Sequence, residues 1–258
     1  MKAVLCAALF CLGAGVVHAN DTEVARTWEA AQVWLPGTVN ATSIEALDEG
    51  ETPRAVVLYA HGCDGLSRIT TVTARFLADA GHLVVAPDSF ARQDKPVSCN
   101  AAQQRGGLHR GVLRWRQQEM QYALAQLREK DELRDVPIVL MGHSEGGITV
   151  ATMAAPDAAM RVIEGWTCHA GWPEYRGLNA PKGQPALALV GEEDPWFRLP
   201  VLSGDCGAFM EGETQVSRVY SEPDHLGDKH WLSADKEVQD LILDFIDVHL
   251  PAGDAHGE

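Results

Sequence analysis

Short apolar runs alternate along this chain with longer stretches whose apolar residues recur at helical spacing. The runs predict buried strands at residues 55–60, 83–86, 138–141, 161–168, 186–190 and 217–220. The amphipathic spacing predicts helices at residues 69–80 and 112–130 and a closing helix around residues 238–246. Strands that alternate with helices predict one α/β domain on a mainly parallel sheet, with helices on both faces.

The first 50 residues are less regular. A positive start at Lys2, an apolar stretch over residues 3–17 and small residues before position 20 predict a signal peptide at residues 1–19. An uncleaved membrane anchor is the alternative. We therefore expect a secreted or periplasmic protein, free of the membrane after cleavage, whose single domain spans residues 20–258. Within it, residues 23–34 could form a helix and residues 38–47 a peripheral strand.

The charge balance excludes one class of partner. The formal net charge is −15, from 36 acidic and 21 basic residues, and the basic residues form no cluster. Binding to a nucleic-acid backbone needs cations that displace its counterions, so we expect no nucleic-acid partner. A small-molecule substrate fits this composition better.

The stretch between the strand at 138–141 and the helix that follows it carries the motif Gly-x-Ser-x-Gly, at Gly142, Ser144 and Gly146. A sharp strand-to-helix turn with small neighbours exposes the central serine above the sheet, which is typical of a hydrolase nucleophile. Glu145 begins the helix, so its backbone N–H would stabilise developing negative charge. The alternative is a glycine-rich turn with an incidental serine.

A second oxyanion donor is predicted after the strand at 55–60. That strand runs into His61-Gly-Cys-Asp-Gly, and serine hydrolases place an oxyanion N–H directly after such a strand. The backbone N–H of Cys63 takes that position here.

The remaining triad members should follow Ser144 in the order acid, then histidine, each on a loop after a strand. Asp194 in Gly-Glu-Glu-Asp-Pro is the favoured acid, with Glu192 and Glu193 as rivals. His225 is the favoured base because it comes directly off the strand at 217–220. His230, five residues further on, is the competing candidate.

Together with these motifs, the segment Pro87-Asp-Ser-Phe-Ala-Arg-Gln makes residues 55–250 resemble the dienelactone hydrolase family of α/β-hydrolases. The resemblance implies the α/β-hydrolase fold and implies that Arg92 contacts a carboxylate of the substrate. A salt bridge between Arg92 and a loop acid is the alternative. The namesake enzymes of that family are cytoplasmic and use a cysteine nucleophile, whereas this chain has Ser144 and a signal peptide, which favours general ester hydrolysis.

The tryptophans Trp166, Trp172 and Trp196 fall on loops after strands and could wall a substrate pocket, or could equally be core residues. We therefore predict a serine hydrolase that cleaves carboxylic esters through an acyl-enzyme and needs no cofactor. A peptidase of the same fold and a binding protein without turnover are the alternatives.

Four cysteines lie beyond the signal peptide, at positions 63, 99, 168 and 206. An even number in an exported protein favours disulfides, and the wide spacing disfavours a zinc site. Loops after sequential parallel strands emerge on one edge of a sheet, often side by side. This predicts the pairs Cys63–Cys99 and Cys168–Cys206.

Overall fold

The computed structural model describes residues 19–48, 52–106 and 109–250, so most of the predicted signal peptide lies outside the described residues. The helices are α1 (Ala19–Glu29), α2 (Arg68–Asp79), α3 (Arg110–Glu129), α4 (Glu145–Thr152) and α5 (Lys236–His249). The strands are β1 (Gln32–Trp34), β2 (Val56–Ala60), β3 (Leu83–Ala86), β4 (Cys99–Asn100), β5 (Arg105–Gly106), β6 (Ile138–His143), β7 (Met160–Glu164), β8 (Ala186–Gly191) and β9 (Gln215–Tyr220).

In the described part of the chain, seven strands form one sheet in the order β1-β3-β2-β6-β7-β8-β9. All neighbours are parallel except β1, which runs antiparallel to β3 at the edge. The predicted α/β class with a mainly parallel sheet is confirmed. The strands β4 and β5 pair only with each other, inside the long loop after β3.

Two apolar layers cover the sheet because alternate residues of each buried strand face opposite sides. On one face, Leu58 and Leu140 pack with residues of α1, α3 and α4, such as Met120 of α3. On the other face, Tyr59 and Met141 pack with residues of α2 and α5. Every residue of β2, β3, β6, β7 and β8 is buried. This burial explains why apolar runs in the sequence predicted these strands.

The predictions for the N-terminal part were partly wrong. The first helix ends at Glu29, and the last residues assigned to it form the edge strand β1. The peripheral strand expected at residues 38–47 is absent from that described segment: only Thr42 bridges to Val33, and Ile44–Asp48 is a 3-10 helix. A strand needs a neighbour over several residues, and β1 offers only three.

Over the described ranges, no helix combines the length and apolarity needed to cross a membrane. The same residues include no group of three or more His, Cys, Asp or Glu side chains arranged to hold a metal ion.

Candidate active site

Ser144 occupies a strained turn between β6 and α4. Its φ of 58° and ψ of −119° are unusual for a residue with a side chain, and such conformations persist only where surrounding structure enforces them. The two motif glycines allow backbone segments to approach each other closely at this turn. A Cβ on Gly142 would lie 2.2 Å from the carbonyl oxygen of Gly146, and a Cβ on Gly146 would lie 1.8 Å from the carbonyl oxygen of Ala60. The Ser144 N–H donates to the carbonyl of Glu164 at 2.9 Å. The sequence motif is therefore a sharp elbow that presents the serine.

Asp194 and His230 form a hydrogen-bonded pair next to this elbow. The His230 Nδ1 lies 2.6 Å from the Asp194 Oδ2, and the Asp194 side chain is almost fully buried. Asp194 also accepts from the backbone N–H of Trp196 at 2.9 Å, which fixes the carboxylate at the end of β8. A carboxylate on Nδ1 holds the proton there and leaves Nε2 free to accept one. The His230 Nε2 is buried and bonds to no protein group in the described part of the chain.

The imidazole of His230 is held between aromatic rings and a backbone contact. It stacks on Trp196 with ring centroids 5.0 Å apart and meets the edge of Phe197 at 5.7 Å. The His143 Nε2 lies 3.1 Å from the His230 carbonyl oxygen, to which it donates. Burial, followed by the charge of His230, lowers the pKa of His143 to about 3, so His143 stays neutral and acts as a support.

The structure corrects the expected placement of His225. Its side chain is 68% exposed, and its Nε2 bonds to Asp235 at 2.9 Å, at the start of α5, rather than to Asp194. The hydrogen bond with Asp235 raises the pKa of His225. After β9 the chain makes successive turns, and the carbonyls of Leu226, Gly227 and Lys229 close over Gly191. Because of these turns, the residue that lies beside Asp194 is His230, five residues further along the chain than His225.

The two expected oxyanion segments lie on either side of Ser144. Cys63 and Glu145 line the same cleft as Ser144 and His230, and a Cβ on Gly62 would lie 3.6 Å from that of Ser144. One buried guanidinium ties the segments together. Arg116 of α3 donates to the His61 carbonyl at 2.5 Å and to the Glu145 carboxylate at 3.1 Å. Arg116 therefore links the loop that contains Cys63 to the first residue of α4, Glu145.

His61 supports this loop rather than facing the cleft. Its Nε2 accepts from the Ser89 N–H at 3.2 Å, so Nδ1 carries the proton and donates to the Gly62 carbonyl at 2.7 Å. Burial and the nearby Arg116 charge lower the pKa of His61 well below its usual value. A neutral histidine whose two ring nitrogens are both hydrogen-bonded in this way has a structural role.

Both predicted disulfides are present in the structure. Cys63 bonds to Cys99 with Cα atoms 5.9 Å apart, and Cys168 bonds to Cys206 with Cα atoms 4.8 Å apart. The strand order explains the pairing, since β2 neighbours β3 and β7 neighbours β8. Only the first bridge lines the cleft that contains Ser144.

Removing the Cys63–Cys99 bridge should lower activity more than removing the other bridge. Each double Cys→Ser variant should lose about 2–4 kcal/mol of unfolding free energy. The variant at positions 63 and 99 should also lose about tenfold in kcat, because losing an oxyanion donor costs 10²–10³ and a displaced one costs part of that. Ester kinetics at a temperature where both variants remain folded measure the difference. Equal kcat values in the two variants would contradict a link between the bridge and the oxyanion loop.

The cleft itself has a cavity volume of about 80 Å³ and mostly aromatic and aliphatic walls. Of the three tryptophans predicted as pocket walls, Trp166 and Trp196 line it, whereas Trp172 is exposed and does not. The other large apolar side chains of the wall are Ile148, Tyr175, Phe197 and Leu202. Such a site suits a compact apolar group next to Ser144.

Arg92, by contrast, does not line this cleft. It is buried in an ion pair with Glu119 of α3, and its guanidinium lies 5.1 Å from the centre of the Trp115 ring. Glu119 also accepts from the Ser89 hydroxyl. The structure therefore shows the salt bridge that was the alternative for Arg92, although the acid belongs to a helix and not to a loop.

Sequence reasoning did not single out two buried charged residues that shape the site, Arg116 and Glu164. Arg116 shares the buried face of α3 with Leu113 and Met120, and Glu164 ends the buried strand β7. That is the signal that could have found them, because charged residues are rarely buried unless they are paired or hydrogen-bonded.

The strand order, the elbow after β6 and the acid after β8 define an α/β-hydrolase. A model of the dienelactone hydrolase family matches residues 43–204, more than half of the chain. The chain belongs to the dienelactone hydrolase family, a family of hydrolases.

Solved structures agree on the fold. A thermostable carboxyl esterase from Bacillus coagulans, in complex with glycerol, is 14% identical, with 86% of this chain and 94% of that chain covered and a TM-score of 0.58. A dienelactone hydrolase from Anabaena variabilis is 16% identical over 86% and 92%, with a TM-score of 0.56. A lidless serine hydrolase, XC6422 from Xanthomonas campestris, is 13% identical over 86% and 89%, with a TM-score of 0.54. No curated protein matches the sequence.

Proposed function

We propose that this protein is an exported serine hydrolase that cleaves carboxylic esters through an acyl-enzyme, with Ser144, His230 and Asp194 as its triad. The observation that carries the proposal is the Asp194–His230 hydrogen bond of 2.6 Å, in one cleft with a serine at a strained elbow. Ser144, Asp194 and His230 follow one another in the chain order of a triad in this fold and line or border one cleft. A glycine-rich turn with an incidental serine would not require an aspartate–histidine pair beside it.

The reaction follows from the positions of these groups. Ser144 Oγ attacks the ester carbonyl carbon while His230 Nε2 takes its proton, and Asp194 stabilises the resulting imidazolium. The backbone N–H groups of Cys63 and Glu145 hold the oxyanion. The imidazolium then protonates the leaving alcohol. Water, deprotonated by His230, attacks the acyl-enzyme and releases the carboxylic acid and free Ser144.

Cleft size and lining favour esters with a compact acyl group. Long acyl chains would exceed a cavity of about 80 Å³ lined by Trp166, Trp196 and Phe197. Arg92 is engaged with Glu119 outside the cleft, so we no longer assign it to a substrate carboxylate. A lactone is an internal ester and requires the same steps, so lactone hydrolysis belongs in the test.

A substrate panel tests the proposal. Short and long p-nitrophenyl esters, a lactone and peptide anilides are compared at equal concentration, together with labelling by a fluorophosphonate. Short esters should be cleaved fastest and the label should attach to Ser144. Faster cleavage of anilides would indicate a peptidase, and a wild-type protein that resists labelling would indicate a binding protein without turnover.

Export is part of the same proposal. The predicted signal peptide at residues 1–19 and the two disulfides support it, because structural disulfides persist in oxidising compartments. N-terminal sequencing of the protein recovered outside the cytoplasm should find Asn20 as the first residue. An intact Met1 would contradict cleavage.

A further inference from the structure

Arg116, on the buried face of α3, is a charged residue with almost no exposure, and the proposed triad does not use it. Its Nη2 donates to the carbonyl oxygen of His61 at 2.5 Å, and its Nη1 donates to the carboxylate of Glu145 at 3.1 Å. The nitrogens of a guanidinium lie in one plane at fixed angles to each other. One rigid group therefore bonds to both His61 and Glu145 and limits how far apart they can lie.

His61 and Glu145 belong to the two segments that carry the expected oxyanion donors. The His61 carbonyl lies two residues before Cys63, whose N–H is one donor, and the other donor is the N–H of Glu145 itself. The segments also approach each other directly, since a Cβ on Gly146 would lie 2.8 Å from the His61 carbonyl oxygen. A shift of His61 away from α4 would therefore change the distance between the two donors.

Arg116 is itself held in place. Its Nε lies 3.6 Å from the Glu119 carboxylate, which also pairs with Arg92 and accepts from the Ser89 hydroxyl. Glu119 and Glu145 balance the charges of Arg92 and Arg116, so each of these buried guanidinium groups has a carboxylate partner. The bonds from Arg116 to the two oxyanion segments therefore start from a fixed position.

We propose that Arg116 is a positioning residue for the oxyanion hole: its two bonds set the spacing between the N–H groups of Cys63 and Glu145. The inference rests on the proposed function, in which those N–H groups hold the oxyanion. Preorganised donors stabilise charge only at the place where the oxyanion forms, so a displaced loop would slow the chemical step. A buried salt bridge that only stabilises the fold is the alternative, and the two roles predict different kinetics.

The readout compares an ester with its thionoester, in which sulfur replaces the carbonyl oxygen. Sulfur is a weak hydrogen-bond acceptor, so the two N–H groups stabilise its developing charge poorly. Each kcat/KM is divided by the rate constant for hydroxide hydrolysis of the same compound, which removes the difference in intrinsic reactivity. The oxygen-to-sulfur ratio of these values reports on the oxyanion hole, because any disturbance of Ser144 or His230 slows both substrates. The wild-type ratio should be at least about 10².

Arg116→Met removes both bonds and leaves an unbranched apolar side chain. The oxygen-to-sulfur ratio should fall about tenfold, because a displaced donor loses part of the factor of about 10²–10³ in kcat that a missing donor costs. The loss should appear in kcat for the oxygen ester, with the thionoester rate within about threefold of the wild type. The matched control is Arg92→Met, which removes another cation paired with Glu119 but bonded to neither oxyanion segment. Its ratio should stay within about twofold of the wild type.

Glu145→Ala separates the bond from the donor, because it removes the carboxylate and keeps the backbone N–H. It provides an independent test if Arg116→Met does not fold, since Arg116 keeps Glu119 as its counter-charge. The oxygen-to-sulfur ratio should fall about threefold. In the double variant, Glu145→Ala should add no more than about twofold to the fall caused by Arg116→Met, because both changes break the same bond. A wild-type ratio in folded Glu145→Ala would contradict a spacing set by both bonds.

A wild-type ratio in folded Arg116→Met would overturn the inference, and so would equal falls in Arg116→Met and Arg92→Met. The proposed function would stand in both cases, provided that a fluorophosphonate labels Ser144 and the wild-type ratio is high. A labelled wild-type protein with a ratio near one would remove the oxyanion hole from the proposed function, and the inference with it. A wild-type protein that resists labelling would refute both proposals.

Discussion

Ser144→Ala should abolish ester hydrolysis, leaving a rate at least about 10⁴-fold below that of the wild type. The only group lost is the hydroxyl that is proposed to form the acyl-enzyme, at the strained elbow beside His230. Ester turnover together with fluorophosphonate labelling measures the effect. Labelling that persists in the alanine variant would show that Ser144 is not the nucleophile.

Ser144→Ala should still fold. A second variant, Ser144→Gly, tests whether the backbone at this position is strained. Alanine meets the same strain as serine at a φ of 58°. Glycine tolerates that conformation, so Ser144→Gly should be equally inactive but more stable than Ser144→Ala by about 1 kcal/mol. Denaturant unfolding of the two variants compares them. Equal stability would contradict strain at the elbow.

The sheet was predictable because its strands are buried on both faces. Runs such as residues 55–60 and 186–190 have no polar positions to confuse the pattern, and a parallel sheet requires this. The edge strand β1 was missed because three residues give too little pattern and the helical spacing continued into it. The expected order of the strands then predicted which cysteines pair, although no sequence motif marks them.

The elbow and Asp194 were predictable for a different reason. Both stand within a few residues of a strand end, where local sequence determines position. His230 illustrates the limit of this logic. The number of residues between β9 and the histidine beside Asp194 depends on how the turns between Ser221 and Lys229 fold back over Gly191, and that is a tertiary contact.

Buried charges were the hardest features to anticipate. Arg116 lies 55 residues from the His61 carbonyl that it supports, and Glu164 lies 69 residues from Ser233. In the sequence, Arg116 falls among the apolar residues of one face of α3 and Glu164 ends the buried strand β7, far along the chain from the groups that they contact. Only the sheet, which brings β2, β6 and β7 together beneath the cleft, reveals that Arg116 contacts the loop after β2 and that Glu164 contacts the segment after His230.

His230→Ala should lower kcat for ester hydrolysis by about 10³ or more, because a serine hydroxyl is a poor nucleophile without a base. The Asp194 carboxylate would remain in place through its bond to the Trp196 N–H, so the loss would report on the base itself.

His225→Ala is the matched control, since it removes the same side chain five residues away. His225 is exposed and bonded to Asp235, outside the cleft, so kcat should stay within about twofold of the wild type. Steady-state kinetics of both variants and the wild type under the same conditions make the comparison. A large loss in the His225 variant with a small one in the His230 variant would return the role of base to His225, and would require the turns after β9 to rearrange when substrate binds.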